Sequence, residues 1–246
     1  MGDTIILYTR NILETGTVTV SGTPDTGYPE SRLYDRAISL FWKDTVTESK
    51  TFHVDQGASP LAVDFLAIAK HNFSGEDLAW QYSTDDFSGD INDAVTGWSQ
   101  ADNEPIIKTI GSSLTKQYWR ITLTSMENPQ CSEIFMSCGH EFDIMAAPGA
   151  RAVNVTNVRW QRTVGGTERS TKLGNRRRQR TYPLFIDETS LGYLRDALDD
   201  LDEGRRPFYI KDHEGEYWTA RLIDDPLESW DHRTHKHVTL NIIEIL

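Results

Sequence analysis

Residues 118–137 read YWRITLTSMENPQCSEIFMS, and this stretch decides the fold. Tyr118, Arg120, Thr122 and Thr124 alternate with Trp119, Ile121 and Leu123, the period of two of a half-buried β-strand. Glu127-Asn128-Pro129 interrupts the run, because proline fixes φ and asparagine bonds its own backbone. Cys131 to Ser137 then forms a second apolar-rich run. The pair reads as adjacent antiparallel strands that close an N-terminal β-sandwich.

Working outward, short β-prone runs occur at residues 4–8, 17–20, 49–55, 78–83 and 105–110. Residues 62–69 are continuously apolar and fit a central strand, with a helix as the competing reading. Asp85 to Asp93 makes an exposed acidic loop. Beyond Pro148 and Gly149 the pattern changes. Residues 152–161 and 182–186 are strand-like, Gly165-Gly166 is a hairpin candidate, and Leu191, Leu194, Leu198 and Leu201 recur at helical spacing. Asp187 or Thr189 can cap that helix and Gly204 can end it. Residues 207–211, 217–223 and 237–246 supply further strands. The expectation is a mainly β chain: a jelly-roll β-sandwich over residues 1–145, then a β-rich domain over 146–246 with one helix, about 188–203, packed on a sheet.

The chain holds 25 Lys and Arg against 37 Asp and Glu, a net charge of −12. That field opposes nucleic acid and anionic membranes, and neither is expected as a partner. With no signal peptide and no long apolar run, membrane insertion is not expected. Cys131 and Cys138 do not make a disulfide scaffold, and whether they bond each other stays open.

No phosphate loop, zinc-binding cysteine pair or nucleophile elbow is present, so no catalytic residue, cofactor or metal ligand is assigned and no enzyme is expected. Asp85, Asp86, Asp90 and Asp93 lack the spacing of a calcium loop. His232, His235 and His237 lack further identified ligands for zinc. RSTKLGNRRRQR, residues 169–180, concentrates Arg169, Lys172, Arg176, Arg177, Arg178 and Arg180. It reads as a solvated hairpin or as an assembly contact with the acidic surface of a neighbouring copy. Tyr28, Trp42, Trp80 and Trp98 are candidates to stack on a sugar, with core packing as the alternative for each.

The N-terminal part, through TGYPESRLYDRAISLFW, FLAIAKHNFSG and YWRITLTSMENPQCSEIFMSCG, resembles the galactose-binding-like (discoidin-like) jelly rolls of tailed-phage virion proteins. The second part, through RRRQRTYPLF, the Leu191–Leu201 helix, PFYIKD, YWTARLIDDP and HVTLNIIEIL, is similar to the adjoining domain of tail or baseplate components. The resemblance implies a structural protein of the phage tail tip or baseplate, assembled in the host cytoplasm. In that reading it joins tail tube and distal proteins as a homo-oligomeric ring. The alternative is a glycan-binding module for attachment to a bacterial surface.

Overall fold

In the computed structural model, strand β1 (Thr4–Tyr8) opens the chain. The structure describes residues 4–144, 152–155, 158–162, 168–172, 177–202, 206–230 and 235–245. The chain divides into two compact units, Arg10–Gly139 and a unit that combines Met1–Thr9 with His140–Leu246. The sequence reading keeps residues 1–145 together, yet β1 pairs with strands that lie beyond Gly139. An N-terminal strand whose partners are some 130 or 200 residues away leaves no local trace.

In Arg10–Gly139, a one-turn helix α1 (Ile12–Thr15) precedes β2 (Thr17–Val20), β3 (Trp42–Lys43), β4 (Glu48–Asp55) and β5 (Ala62–Ala69). Then come β6 (Asp77–Ser83), β7 (Asn92–Ser99), β8 (Ile106–Thr115), β9 (Tyr118–Met126), β10 (Gln130–Cys131) and β11 (Glu133–Ser137). They form a five-stranded sheet, β2-β4-β9-β6-β7, a three-stranded sheet, β11-β5-β8, and the short pair β10-β3, all antiparallel. The core contains Phe52, Trp80, Trp119, Ile121 and Leu123 from the first sheet and Leu66, Ile68, Ile134 and Met136 from the second. Each such large apolar side chain contributes about 1.5–3 kcal/mol on burial. The mainly β expectation holds, and residues 62–69 form the central strand of the smaller sheet.

One expectation about the deciding stretch is corrected. β9 and β11 are not neighbours: β9 sits between β4 and β6, whereas β11 pairs with β5. The Asn128-Pro129 turn, with Asn128 at φ 48°, carries the chain from one sheet to the other. Residues Glu133–Ser137 are buried on both faces, so they lack the alternation that β9 shows. Asn11 fixes the edge of β11: its amide donates to the Ile134 carbonyl at 2.9 Å and its side-chain oxygen accepts from the Met136 N–H at 3.1 Å.

The second unit continues with β12 (His140–Asp143), β13 (Ala152–Val155), β14 (Val158–Arg162), β15 (Glu168–Lys172) and β16 (Arg177–Asp187). Helix α2 (Glu188–Asp200) follows, then β17 (Phe208–Lys211), β18 (Tyr217–Leu222), β19 (Leu227–Trp230) and β20 (His235–Glu244). β14 and β15 pair around Gly165-Gly166, which lies outside the described residues, as does Gly204. The sheet runs β12-β1-β17-β18-β20-β16-β13, and an Ile144–Leu184 bridge brings β16 back beside β12, so the sheet curls upon itself. Its interior holds Ile5, Leu7, Phe142, Tyr182, Leu184, Phe208, Ile210, Trp218, Leu240 and Ile242. Asp187 caps α2, its carboxylate accepting from the Ser190 N–H at 2.8 Å. Leu191, Leu194 and Leu201 then enter the same core. Among the described residues, no helix is long and apolar enough to cross a membrane.

Candidate functional site

The alternation that buries Trp119, Ile121 and Leu123 turns Tyr118, Arg120, Thr122 and Thr124 to the other face of the five-stranded sheet. Cross-strand register places Ala79 opposite Thr122 and Gln81 opposite Arg120, while Asp77 faces Ser99 on β7. The β6–β7 ladder slips at Trp80, and the small residues Ala79 and Gly97 leave the face hollow there. The result is a groove of about 510 Å³ lined by Ser49, Asp77, Ala79, Gly97, Trp98, Ser99, Thr122 and Thr124.

The groove's polar atoms are oriented. The Thr124 hydroxyl accepts from the Asp77 N–H at 3.0 Å and donates to Glu76 Oε2 at 2.7 Å. Ser99 Oγ donates to Asp77 Oδ1. Trp98, paired with Leu78, turns its ring to the core side of β7: it packs partly buried against the core, its indole N–H donates to Gln100 Oε1 at 3.3 Å, and Lys108 Nζ of β8 lies 4.4 Å from its ring centroid.

Further along the same face the side chains become aromatic and charged. Arg120 Nε donates to Gln81 Oε1 at 2.8 Å, and Gln81 Nε2 donates to Asp93 Oδ1 at 2.8 Å. Phe87 comes down from the loop after β6, its ring 4.0 Å from the Arg120 guanidinium carbon and 5.8 Å from the His53 ring. His53 also stacks beside Tyr118, and its Nε2 is 3.1 Å from Asp86 Oδ1. Bonds from Gln117 and the Gly57 N–H hold the nearby Asp55 carboxyl below the usual range. A shallow trough of hydroxyls, one carboxylate and flanking rings suits a polyhydroxylated chain. Ring faces meet C–H surface and the fixed oxygens meet hydroxyls.

The residues singled out from sequence fare differently. Trp98 borders the groove, but its ring packs, partly buried, against the core. Trp42 and Trp80 are fully buried in the core, so as sugar-stacking residues they are corrected: both point inward from their strands. Tyr28 is half-buried, with Lys43 Nζ 4.5 Å and the Arg32 guanidinium carbon 5.6 Å from its ring, cations that compete for its π-face. Ala79, Gly97, Ser99, Thr122 and Thr124 were missed. The alternation in β9 marked its two threonines as outward-facing, but the neighbours across the ladder are set by pairing, which the sequence does not display.

The basic run is also revised. Arg176 lies outside the described residues, and Arg169 and Lys172 fall in β15. Arg177, Arg178 and Arg180 fall in β16. Arg178 does not wait for an acidic neighbour: it bonds Glu216 at 2.6 Å and lies 3.7 Å from Glu244 within its own unit. Of the histidine run, His232 lies outside the described residues, and His235 and His237 flank Phe185, with ring centroids 4.6 and 5.0 Å from it. Asp85 and Asp90 turn onto their own loop, accepting from the Asp90 and Thr84 N–H groups. Among the described residues, no three His, Cys, Asp or Glu side chains converge as metal ligands. Both cysteines are free; burial pushes the Cys138 thiol up to about 11, with Asp64 nearby.

No family model matches the chain, and no curated protein matches its sequence. Solved structures match over about half of it. A Ruminococcus gnavus GH29 fucosidase in complex with fucose is 18% identical, with a TM-score of 0.46, over 55% of this chain and 28% of the fucosidase. Chitosan-binding module 1 from a Paenibacillus chitosanase/glucanase is 18% identical, with a TM-score of 0.44, over 52% of this chain and 99% of the module. A Clostridium perfringens CBM32 module gives 17% identity and a TM-score of 0.42 over 52% of this chain and 98% of the module. The jelly-roll sheet thus resembles those of carbohydrate-binding modules and glycoside-hydrolase-associated domains. The tail-tip or baseplate expectation drawn from sequence resemblance is corrected: these matches are to carbohydrate-binding modules and a fucosidase. The motifs that carried it, alternating strands and turn residues, are common to β-sandwiches of many uses.

Proposed function

We propose that this chain is a glycan-binding module. The groove across the outer face of the five-stranded sheet carries the reading: its floor presents oriented hydroxyls from Ser99 and Thr124 beside Thr122, and the Phe87 and Tyr118 rings stand further along the same face. Its openness along the strands suits a segment of polysaccharide more than a small enclosed ligand. Binding without turnover is the proposed activity.

The test is to screen the full chain against immobilised bacterial surface polysaccharides and to titrate the best binder by calorimetry. Saturable binding is expected. Ser99→Arg, at an exposed position, obstructs the groove without touching the core, and should weaken binding at least about tenfold, equivalent to about 1.4 kcal/mol. Absence of binding, or binding that Ser99→Arg leaves unchanged, would overturn the assignment. Release of a cleaved product would replace binding with catalysis.

A further inference from the structure

The curled sheet of the second unit has two unlike ends. At one, β16 runs directly into α2, whose leucines join the core. At the other, the inward face of β16 continues past Tyr182 to Arg180 and Arg178. The turn between β17 and β18 meets it there: the His213 ring centroid lies 6.0 Å from that of Tyr182, and Asp212, Arg180, Glu214 and Arg178 all act electrostatically on the Tyr182 hydroxyl.

Most polar groups at this mouth are satisfied. Asp212 accepts from the Glu214 N–H at 3.0 Å, the Glu216 N–H at 2.9 Å and the Trp218 indole N–H at 3.2 Å. Arg178 is neutralised by Glu216 and Glu244. Three buried atoms have no hydrogen-bond partner among the described residues: Tyr182 Oη, Arg180 Nε and His213 Nδ1. Tyr182 is only 1% exposed. Arg180 spends a different nitrogen, Nη1, on the Gln179 carbonyl at 3.3 Å, and has no carboxylate partner among the described residues. A buried polar atom left unpaired costs about 1–3 kcal/mol, so three at one end of one core is an unusual concentration.

We propose that this mouth binds a carboxylate-bearing small molecule, its carboxylate seated between Arg180 Nε–H and Tyr182 Oη–H, with His213 Nδ1 as a further contact. The chemistry follows from what is unspent. Two donors stand two residues apart on one strand face, about 6–7 Å along the backbone, and one of them bears an uncompensated positive charge. Burial holds the Tyr182 phenol above its ordinary range, so it remains a donor at any ordinary pH. Access is from the lip. Arg180 and His213 are partly exposed, and the turn residues Glu214, Gly215 and Glu216 are exposed. Glu214 is exposed, and its charge, like that of Asp212, acts on the Tyr182 hydroxyl against the pull of Arg180.

The probe is sodium acetate, then glucuronate, titrated into the 15N-labelled full chain at constant ionic strength with sodium chloride as control. The readout is the arginine Nε–H region of the NMR spectrum, with the Arg180 resonance identified as the one lost in Arg180→Lys. A saturable shift with the carboxylates and none with chloride is expected, and Tyr182→Phe, which keeps the ring's packing, should weaken it at least tenfold. No shift, an equal shift with chloride, or an unchanged affinity in Tyr182→Phe would overturn the proposal. The polysaccharide screen concerns the other unit, so either result stands without the other.

Discussion

Two clusters of buried polar side chains, one in each unit, are built in opposite ways. Around Lys50, every charge has a partner: its ammonium donates to Asp44 Oδ2 at 2.8 Å and to Glu48 Oε1 at 2.9 Å, with Lys50 and Asp44 fully buried. The chain even yields a side chain to make room. A Cβ on Gly22, at φ 97°, would stand 2.3 Å from Asp44 Oδ2 and 2.5 Å from Lys50 Nζ. Around Tyr182, three buried polar atoms find nothing among the described residues. A closed network holds a fold in register, whereas an open one holds capacity for something from outside. The comparison therefore predicts that loss of a Lys50-type group unfolds the protein and loss of a Tyr182-type group does not.

The largest effect belongs to Lys50→Met. Removing one partner of a buried ion pair leaves Asp44 uncompensated and costs about 3–5 kcal/mol, to be read from the urea midpoint at constant m-value. Gly22→Ala should come next, at about 1–3 kcal/mol, because it adds a strained φ to a steric clash with the same pair. If either variant unfolds within about 0.5 kcal/mol of the parent, the closed network is not what holds that loop.

Glu133 sharpens the comparison through pH. Its carboxylate is 3% exposed, accepts from the Arg36 N–H at 3.0 Å, and is raised well above its ordinary range by burial, against the pull of Arg36. A carboxyl raised in the folded state stabilises below its unfolded pKa and loses that contribution as pH rises through the folded value. Stability of the parent should therefore fall relative to Glu133→Gln as pH climbs from about 4.5, by up to about 1.4 kcal/mol per unit. A pH-independent difference between the two would show that Arg36 fully offsets the burial. The smallest effect is assigned to Tyr182→Phe, which removes an unpaired hydroxyl and should leave stability within about 0.5 kcal/mol or raise it. A loss of 2 kcal/mol or more would reveal a partner for that hydroxyl and weaken the contrast.

How much of this was visible in the chain depends on distance along it. The inward set of β9 and its outward threonines follow from alternation alone, and the Leu191–Leu201 spacing with Asp187 gave the helix. Pairing partners did not: β1 joins β12 and β17, and β9 and β11 part into different sheets. Aromatic residues show the limit most clearly. Trp42, Trp80 and Trp98 all occupy strands and turn to the core, yet two are fully buried and one only partly. What separates them is position in the sheet, since Trp98 lies on edge strand β7, where the core is open on one side. Nor did the basic run reveal that Arg178 and Arg180, two residues apart, are respectively paired and open, because the acids that decide it come from β20 and the turn before β18.

The central claim, a glycan seated on the outer face of the five-stranded sheet, is tested most directly by backbone NMR of the full chain with the polysaccharide selected by binding. The account predicts saturable shifts centred on the amides of Gly97, Ser99, Thr122 and Thr124. Shifts confined to residues 140–246, or none at saturating glycan, would contradict it.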